Sequence, residues 1–175
     1  ATNESIIVAG GNLYVNGTAA GMVAGAGIAP MVGTTFAQAI VGGDQLYLYD
    51  ETVSAVALPD GYTAQDVDQL NQYVLVLTSS GRFYWIVPGE ATVDPLNFAT
   101  AESSGDMAVA ICRVGDEFLI FGTQTIEPWQ STGDIDAPFQ RVSGRIYERG
   151  CMARDTVKRF DNTVMWVDDS AQVCR

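Results

Sequence analysis

The stretch Asn71–Val87, "NQYVLVLTSSGRFYWIV", decides how the rest of the chain is read. Two apolar runs rich in β-branched and aromatic residues flank a short polar centre, in which Ser80 and Gly81 supply the small residues that a tight turn requires. The stretch therefore reads as a β-hairpin. Four others share its form: "GNLYVNG" (11–17), "GGDQLYLYDETVSAVAL" (42–58), "GDEFLIFGTQTIEPW" (115–129) and "DNTVMWVDDSAQVCR" (161–175). Gly and Asp stand just before a strand in "GGDQ" and "VGDE", as turn chemistry favours. Leu75, Leu119 and Met165 hold equivalent places, which sets a period of 44 to 46 residues. That is the length of one four-stranded propeller blade.

The expected fold is all-β, with propeller-like repeats of four-stranded antiparallel blades, about four of them or a partial propeller. Trp85, Trp129 and Trp166 recur in the last three hairpins and are expected to pack between blades, with Trp129, beside the polar "QSTGD", partly exposed. The nearest helical candidate is "TAQDVDQL" from Thr63, whose Asp66 gives it a capping-box look over one or two turns. Residues 1–33 read as a glycine-rich strand and loop region, and residues 34–175 as the blade repeats. The chain starts inside a strand-like segment and stops within a hairpin, which predicts a piece of a longer propeller protein, because an open arc leaves edge strands bare.

Composition narrows the function. The 175 residues are 47% hydrophobic, enough for a core, and carry a formal net charge of −12 with a pI near 4.1. So acidic a molecule repels the phosphate backbone, since affinity for nucleic acid comes from basic side chains displacing counterions. The charge is uneven: residues 1–140 hold 16 acids and 2 bases, and residues 141–175 hold 5 acids and 7 bases, or −14 and +2. Such polarity suits packing of identical subunits or docking on a charged partner. Cys112, Cys151 and Cys174 are widely spaced and odd in number, so they read as reduced core residues rather than a disulfide framework or zinc site. There is no histidine, which removes Ser-His-Asp and Cys-His catalysis and HExxH zinc chemistry. The apolar run "TAAGMVAGAGIAPMVG" (18–33) lacks long aliphatics and a basic flank and is interrupted by Pro30, so it is neither a membrane span nor a signal peptide.

One short span, "STGDIDAPFQRVSGRIYERGC" (131–151), concentrates polar chemistry. If residues 141–149 are extended, period-2 alternation sets Arg141, Arg145 and Arg149 on one face. They form either a solvated outer strand or, together with Trp129, a contact in which arginines meet a neighbouring subunit's carboxylates. Asp134 and Asp136 begin like a calcium loop, but Pro138 and Phe139 follow in place of the required glycine and glutamate, so a turn is expected. No catalytic, cofactor or metal residue is assigned. The alternative function is a carbohydrate-binding or glycosidase-like propeller using carboxylates such as Glu102 and Glu127.

The blocks at residues 33–50, 81–106, 116–151 and 161–167 resemble the packaged-DNA stabilisation family of short-tailed bacteriophages, tail accessory proteins of the head-to-tail machine. The motif elements are Glu127 and Trp129, the turn at Thr132 and Gly133, Pro138 and Phe139, Gly144, and Glu148 through Cys151. The resemblance covers residues 34–169. It implies a virion structural protein of the tail hub or nozzle, assembled in the bacterial host cytoplasm. Such a subunit forms a ring with copies of itself that extends the portal channel and helps to retain packaged DNA. Implied partners are the portal or adaptor and a needle, tailspike or fibre, with no cofactor, no sequence-specific nucleic acid and no membrane insertion.

Overall fold

In a computed structural model, which describes residues 4–101 and 105–175, eighteen strands form five antiparallel sheets in chain order. The first sheet holds β1 (Ile6–Ala9), β2 (Asn12–Val15) and β3 (Thr18–Met22). The second holds β4 (Met31–Gly33), β5 (Gln38–Gly42), β6 (Gln45–Asp50) and β7 (Thr52–Val56). The third holds β8 (Asp66–Leu70), β9 (Tyr73–Leu77), β10 (Arg82–Ile86) and β11 (Phe98–Thr100). The fourth holds β12 (Ala108–Val114), β13 (Glu117–Gly122), β14 (Ile126–Ser131) and β15 (Phe139–Arg141), and the fifth β16 (Lys158–Phe160), β17 (Thr163–Val167) and β18 (Val173–Cys174). Within every sheet the strands lie in sequence order, each paired to its predecessor, so each sheet is a meander. The all-β, blade-repeat expectation holds.

The turns explain why the strands stop where they do. Gly43 and Asp44 both have positive φ (56° and 65°), as do Asn71 and Gln72 (53° and 70°), the backbone of a two-residue turn whose twist matches the flanking strands. The register then repeats. Leu75 pairs with Asp68, Leu119 with Cys112, and Met165 with Lys158, so the 44- and 46-residue spacings recur on both the first and second strands of the last three sheets.

Residues of these strands are apolar in unbroken runs because both faces of a sheet are covered. In β9, Val74 and Val76 point toward the second sheet, whereas Leu75 and Leu77 point toward the fourth. Tyr84 and Ile86 of β10 divide from Phe83 and Trp85 in the same way, and in β13 Phe118 and Ile120 face the third sheet while Leu119 and Phe121 face the fifth. Period-2 alternation thus feeds two neighbouring interfaces from one strand, and the core is a series of layers between consecutive sheets. The heaviest layer lies between the third and fourth sheets. There Phe83 meets Trp129 edge-on at 4.9 Å between ring centroids, Trp85 meets Phe139 at 5.6 Å, and Phe118 contacts Phe83 and Phe139 at 5.4 Å each.

Several expectations are corrected. Five sheets are present, because the glycine-rich segment supplies the three strands of the first, and the expected boundary after residue 33 cuts the second sheet between β4 and β5. The run from Thr63 forms no helical turn. Asp66–Leu70 is the strand β8, and the Asp66 carboxylate accepts from the amide of the next residue in an extended backbone rather than capping a helix. Trp85 and Trp129 are repeat-equivalent on third strands, but Trp166 lies on a second strand, where it packs on Phe121. Trp129 is only 6% exposed, enclosed by Phe83 and Phe118, so it has no surface to present to another subunit. Replacing it, Trp129→Ala, is expected to cost about 3 to 5 kcal/mol of stability, read as a lowered denaturation midpoint; an unchanged midpoint would contradict the interblade role.

Candidate interaction surfaces

The first strand of each four-stranded sheet is an edge, and β8 and β12 lie side by side with their unpaired edges facing each other. Bare edge amides are costly when covered, and two aspartates resolve the problem. Asp66 accepts the Val67 amide on one carboxylate oxygen (2.9 Å) and the Ile111 amide of the next sheet on the other (2.9 Å). Asp68 repeats the arrangement one step along, taking the Gln69 amide at 2.8 Å and the Arg113 amide at 2.6 Å. The Gln65 side-chain amide adds donor bonds to the carbonyls of Ala108 and Val109. Each carboxylate therefore ties together equivalent amides of two consecutive blades.

Both carboxylates are buried, and burial sets their acidity. Asp66 is pushed up to about 7 by desolvation, which outweighs the hydrogen bonds from Ile111 and Val67 and the attraction of Arg154. Asp68 is raised for the same reason. They floor a polar cleft of about 340 Å³ whose rim carries Arg154, Lys158 and Arg159. Arg154 crosses the cleft, donating to the carbonyls of Gln65 (2.8 Å) and Ile28 (3.2 Å), which links the segment before β16 to the approaches of β8 and β4. Sequence reasoning gave Asp66 only the look of a helix cap and assigned Asp68 and Arg154 no role. The available signal was two aspartates alternating inside "DVDQL", a residue type that strands disfavour unless its carboxylate has a task.

The arginine-rich segment does not run as one strand. Ladder pairing of β15 ends at Arg141; the chain turns at residues 142–145, where Gly144 has φ 74°, and its backbone rejoins the fourth sheet at an isolated bridge between Tyr147 and Ile126. Strict alternation over residues 141–149 is thereby lost. Arg145 and Arg149 nevertheless line one cleft of about 650 Å³ between the fourth and fifth sheets, floored by Leu119, Ile126, Val164 and Trp166. Arg141, exposed on β15, stands outside that lining, and Trp129 lies in the core. Arg145 and Arg149 have carboxylate partners within their own chain: Arg145 reaches Glu117 at 2.7 Å and the Tyr147 hydroxyl at 3.0 Å, and Arg149 reaches Asp168 at 2.7 Å. Asp168, buried itself, also accepts the Gln172 and Ser170 amides, which hold its carboxyl below the usual range. Asp134 accepts the Asp136 amide at 2.9 Å, the expected turn. Of the two glutamates considered for glycoside chemistry, Glu127 is buried and Glu102 falls outside the described residues.

A family model described as Bacteriophage P22 Gp10, beta-propeller, matches residues 1–173. The chain belongs to that family. Its reach extends the resemblance drawn from residues 34–169 across the glycine-rich segment. Among curated proteins none matches significantly. Solved structures give likenesses of fold. The computationally designed Ika4 protein is 14% identical with a TM-score of 0.54, over 85% of this chain and 89% of that one. The designed Ika8 protein is 15% identical with a TM-score of 0.56, over 93% of this chain and 51% of that one. BBS1N, solved in complex with ARL6DN, is 13% identical with a TM-score of 0.51, over 97% and 73% respectively.

The motif residues quoted for the Gp10-like family have structural tasks in this fold. Trp129 and Phe139 fill the layer between the third and fourth sheets. In "ERGC", a side chain on Gly150 would collide with the carbonyl of Thr123, the Cys151 amide donates to Gly122 (2.9 Å), and the Trp166 indole donates to the Gly150 carbonyl (3.1 Å). These contacts clamp the connector between the fourth and fifth sheets.

The buried Asp66 makes stability depend on pH. Because its folded pKa of about 7 lies above the ordinary 3.8, its contribution is full below about pH 4 and is lost as pH rises through about 7. In a denaturation series the wild type should lose stability relative to Asp66→Asn across that window, whereas parallel curves for the two proteins would refute the assignment.

Proposed function

We propose that this chain is a structural, non-catalytic part of a phage virion, a tail hub or nozzle subunit that extends the portal channel and helps to hold packaged DNA. Membership of the Gp10 propeller family over residues 1–173 is the observation that carries the reading. The physics of the chain agrees with it. A net charge of −12 disfavours a grip on phosphates, so retention works by closing the passage rather than by binding the genome. Rigid blades with buried faces on both sides leave turns, connectors and clefts as docking surface for a portal or adaptor and for a needle, tailspike or fibre. Assembly takes place in the host cytoplasm and involves further copies of the chain. The glycosidase alternative finds no support in Glu127, whose carboxylate lies beneath the surface.

Electron cryo-microscopy of virions carrying the protein tests this directly. The expected result is propeller density in a symmetric ring below the portal. Intact, infectious virions that lack the protein would overturn the reading.

A further inference from the structure

The loop between β14 and β15 and the arginine cleft have complementary chemistry. Ile135 is 79% exposed, and it stands between two exposed aspartates, Asp134 and Asp136. The loop is held in shape from within. The Thr132 hydroxyl donates to the Ala137 carbonyl (2.6 Å) and accepts the Asp134 amide (3.0 Å), and the Thr132 amide donates to the Pro138 carbonyl (2.9 Å). An aliphatic side chain on a pre-ordered acidic tip binds at low entropic cost.

The cleft between the fourth and fifth sheets offers what such a tip needs. Its floor is apolar, Ile146 and Tyr147 beside it are about half exposed, and the guanidinium-bearing side chains of Arg145 and Arg149 keep 42% and 51% exposure despite their partners Glu117 and Asp168. The cleft lining sets three arginines, Arg145, Arg149 and Arg175, against two glutamates, Glu117 and Glu148; the arginines come from residues 141–175, which carry +2, and the tip from residues 1–140, which carry −14.

We propose that the Asp134–Asp136 tip of one copy seats in the Arg145/Arg149 cleft of the next, with Ile135 on the apolar floor and the aspartates toward the guanidiniums. Tip and cleft are different surfaces of one chain, so the contact is heterologous and passes from copy to copy. The inference rests on the reading above that copies of the chain assemble together, and it names the surfaces that do so.

Sedimentation velocity on this chain, with circular dichroism as the check on folding, tests the pairing. Wild type should self-associate with rising concentration. Ile135→Ser, Asp136→Lys and Arg145→Glu should each weaken association by about tenfold or more, and the Arg145→Glu/Asp136→Lys double variant should recover it. Ile135→Ser changes only an exposed side chain, so it remains informative if a charge variant fails to fold. Wild type that stays monomeric, or variants that associate as wild type does, would overturn the proposal and point to another occupant of the cleft. A virion ring built through other surfaces would sink this contact alone, whereas absence from the virion would sink the tail reading and leave the solution result standing.

Discussion

Everything in this fold depends on one geometric constraint: a strand covered on both faces must divide its side chains between two neighbours. Val74 and Val76 belong to one layer and Leu75 and Leu77 to the next, so slipping β9 by a single residue would exchange the contents of two interfaces at once. Each sheet is thereby locked to the sheets before and after it. Stability accumulates along the chain in layers, and the aromatic wedge of Phe83, Phe118, Trp129 and Phe139 is the heaviest of them.

Face-to-face packing leaves the inner edges unsolved, and here the chain uses carboxylates. Between the third and fourth sheets, Asp66 and Asp68 satisfy four amides on two adjacent edges. The cost is two desolvated acids, whose burial raises the pKa of both Asp66 and Asp68. The equivalent positions one blade later are Ala110 and Cys112, which have no carboxylate. At the fifth sheet the work passes to Arg154, which reaches back to carbonyls near β8 and β4, and to the Gly150–Cys151 connector. Successive junctions are therefore closed by different chemistry on a shared backbone plan.

The sequence made the hairpins legible because their turns and their apolar runs are local signals. Asn71–Val87 announces two strands without reference to the rest of the molecule. The first strands of the sheets were harder. Asp66–Leu70 alternates acids with apolar residues and mimics a capped helix, and only the neighbouring edge of β12 explains why carboxylates belong there. The arginine row failed for a related reason. Alternation holds while a strand is paired, and pairing stops at Arg141, so Arg145 and Arg149 reach one cleft through a turn at Gly144 rather than through a shared strand face. Trp129 was placed in both readings by sequence, and the packing reading prevailed because its ring fits the space between Phe83 and Phe118.

Hydrogen exchange at the amides of Val67, Gln69, Ile111 and Arg113 tests the central claim, that carboxylates join the inner edges of consecutive blades, most directly. All four belong to edge strands and would exchange quickly if open to water. The account requires them to be protected as strongly as the interior amides of β9 and β13, with protection lost together at Val67 and Ile111 when Asp66 is replaced by alanine. Rapid exchange in the wild-type protein, or protection indifferent to that substitution, would contradict it.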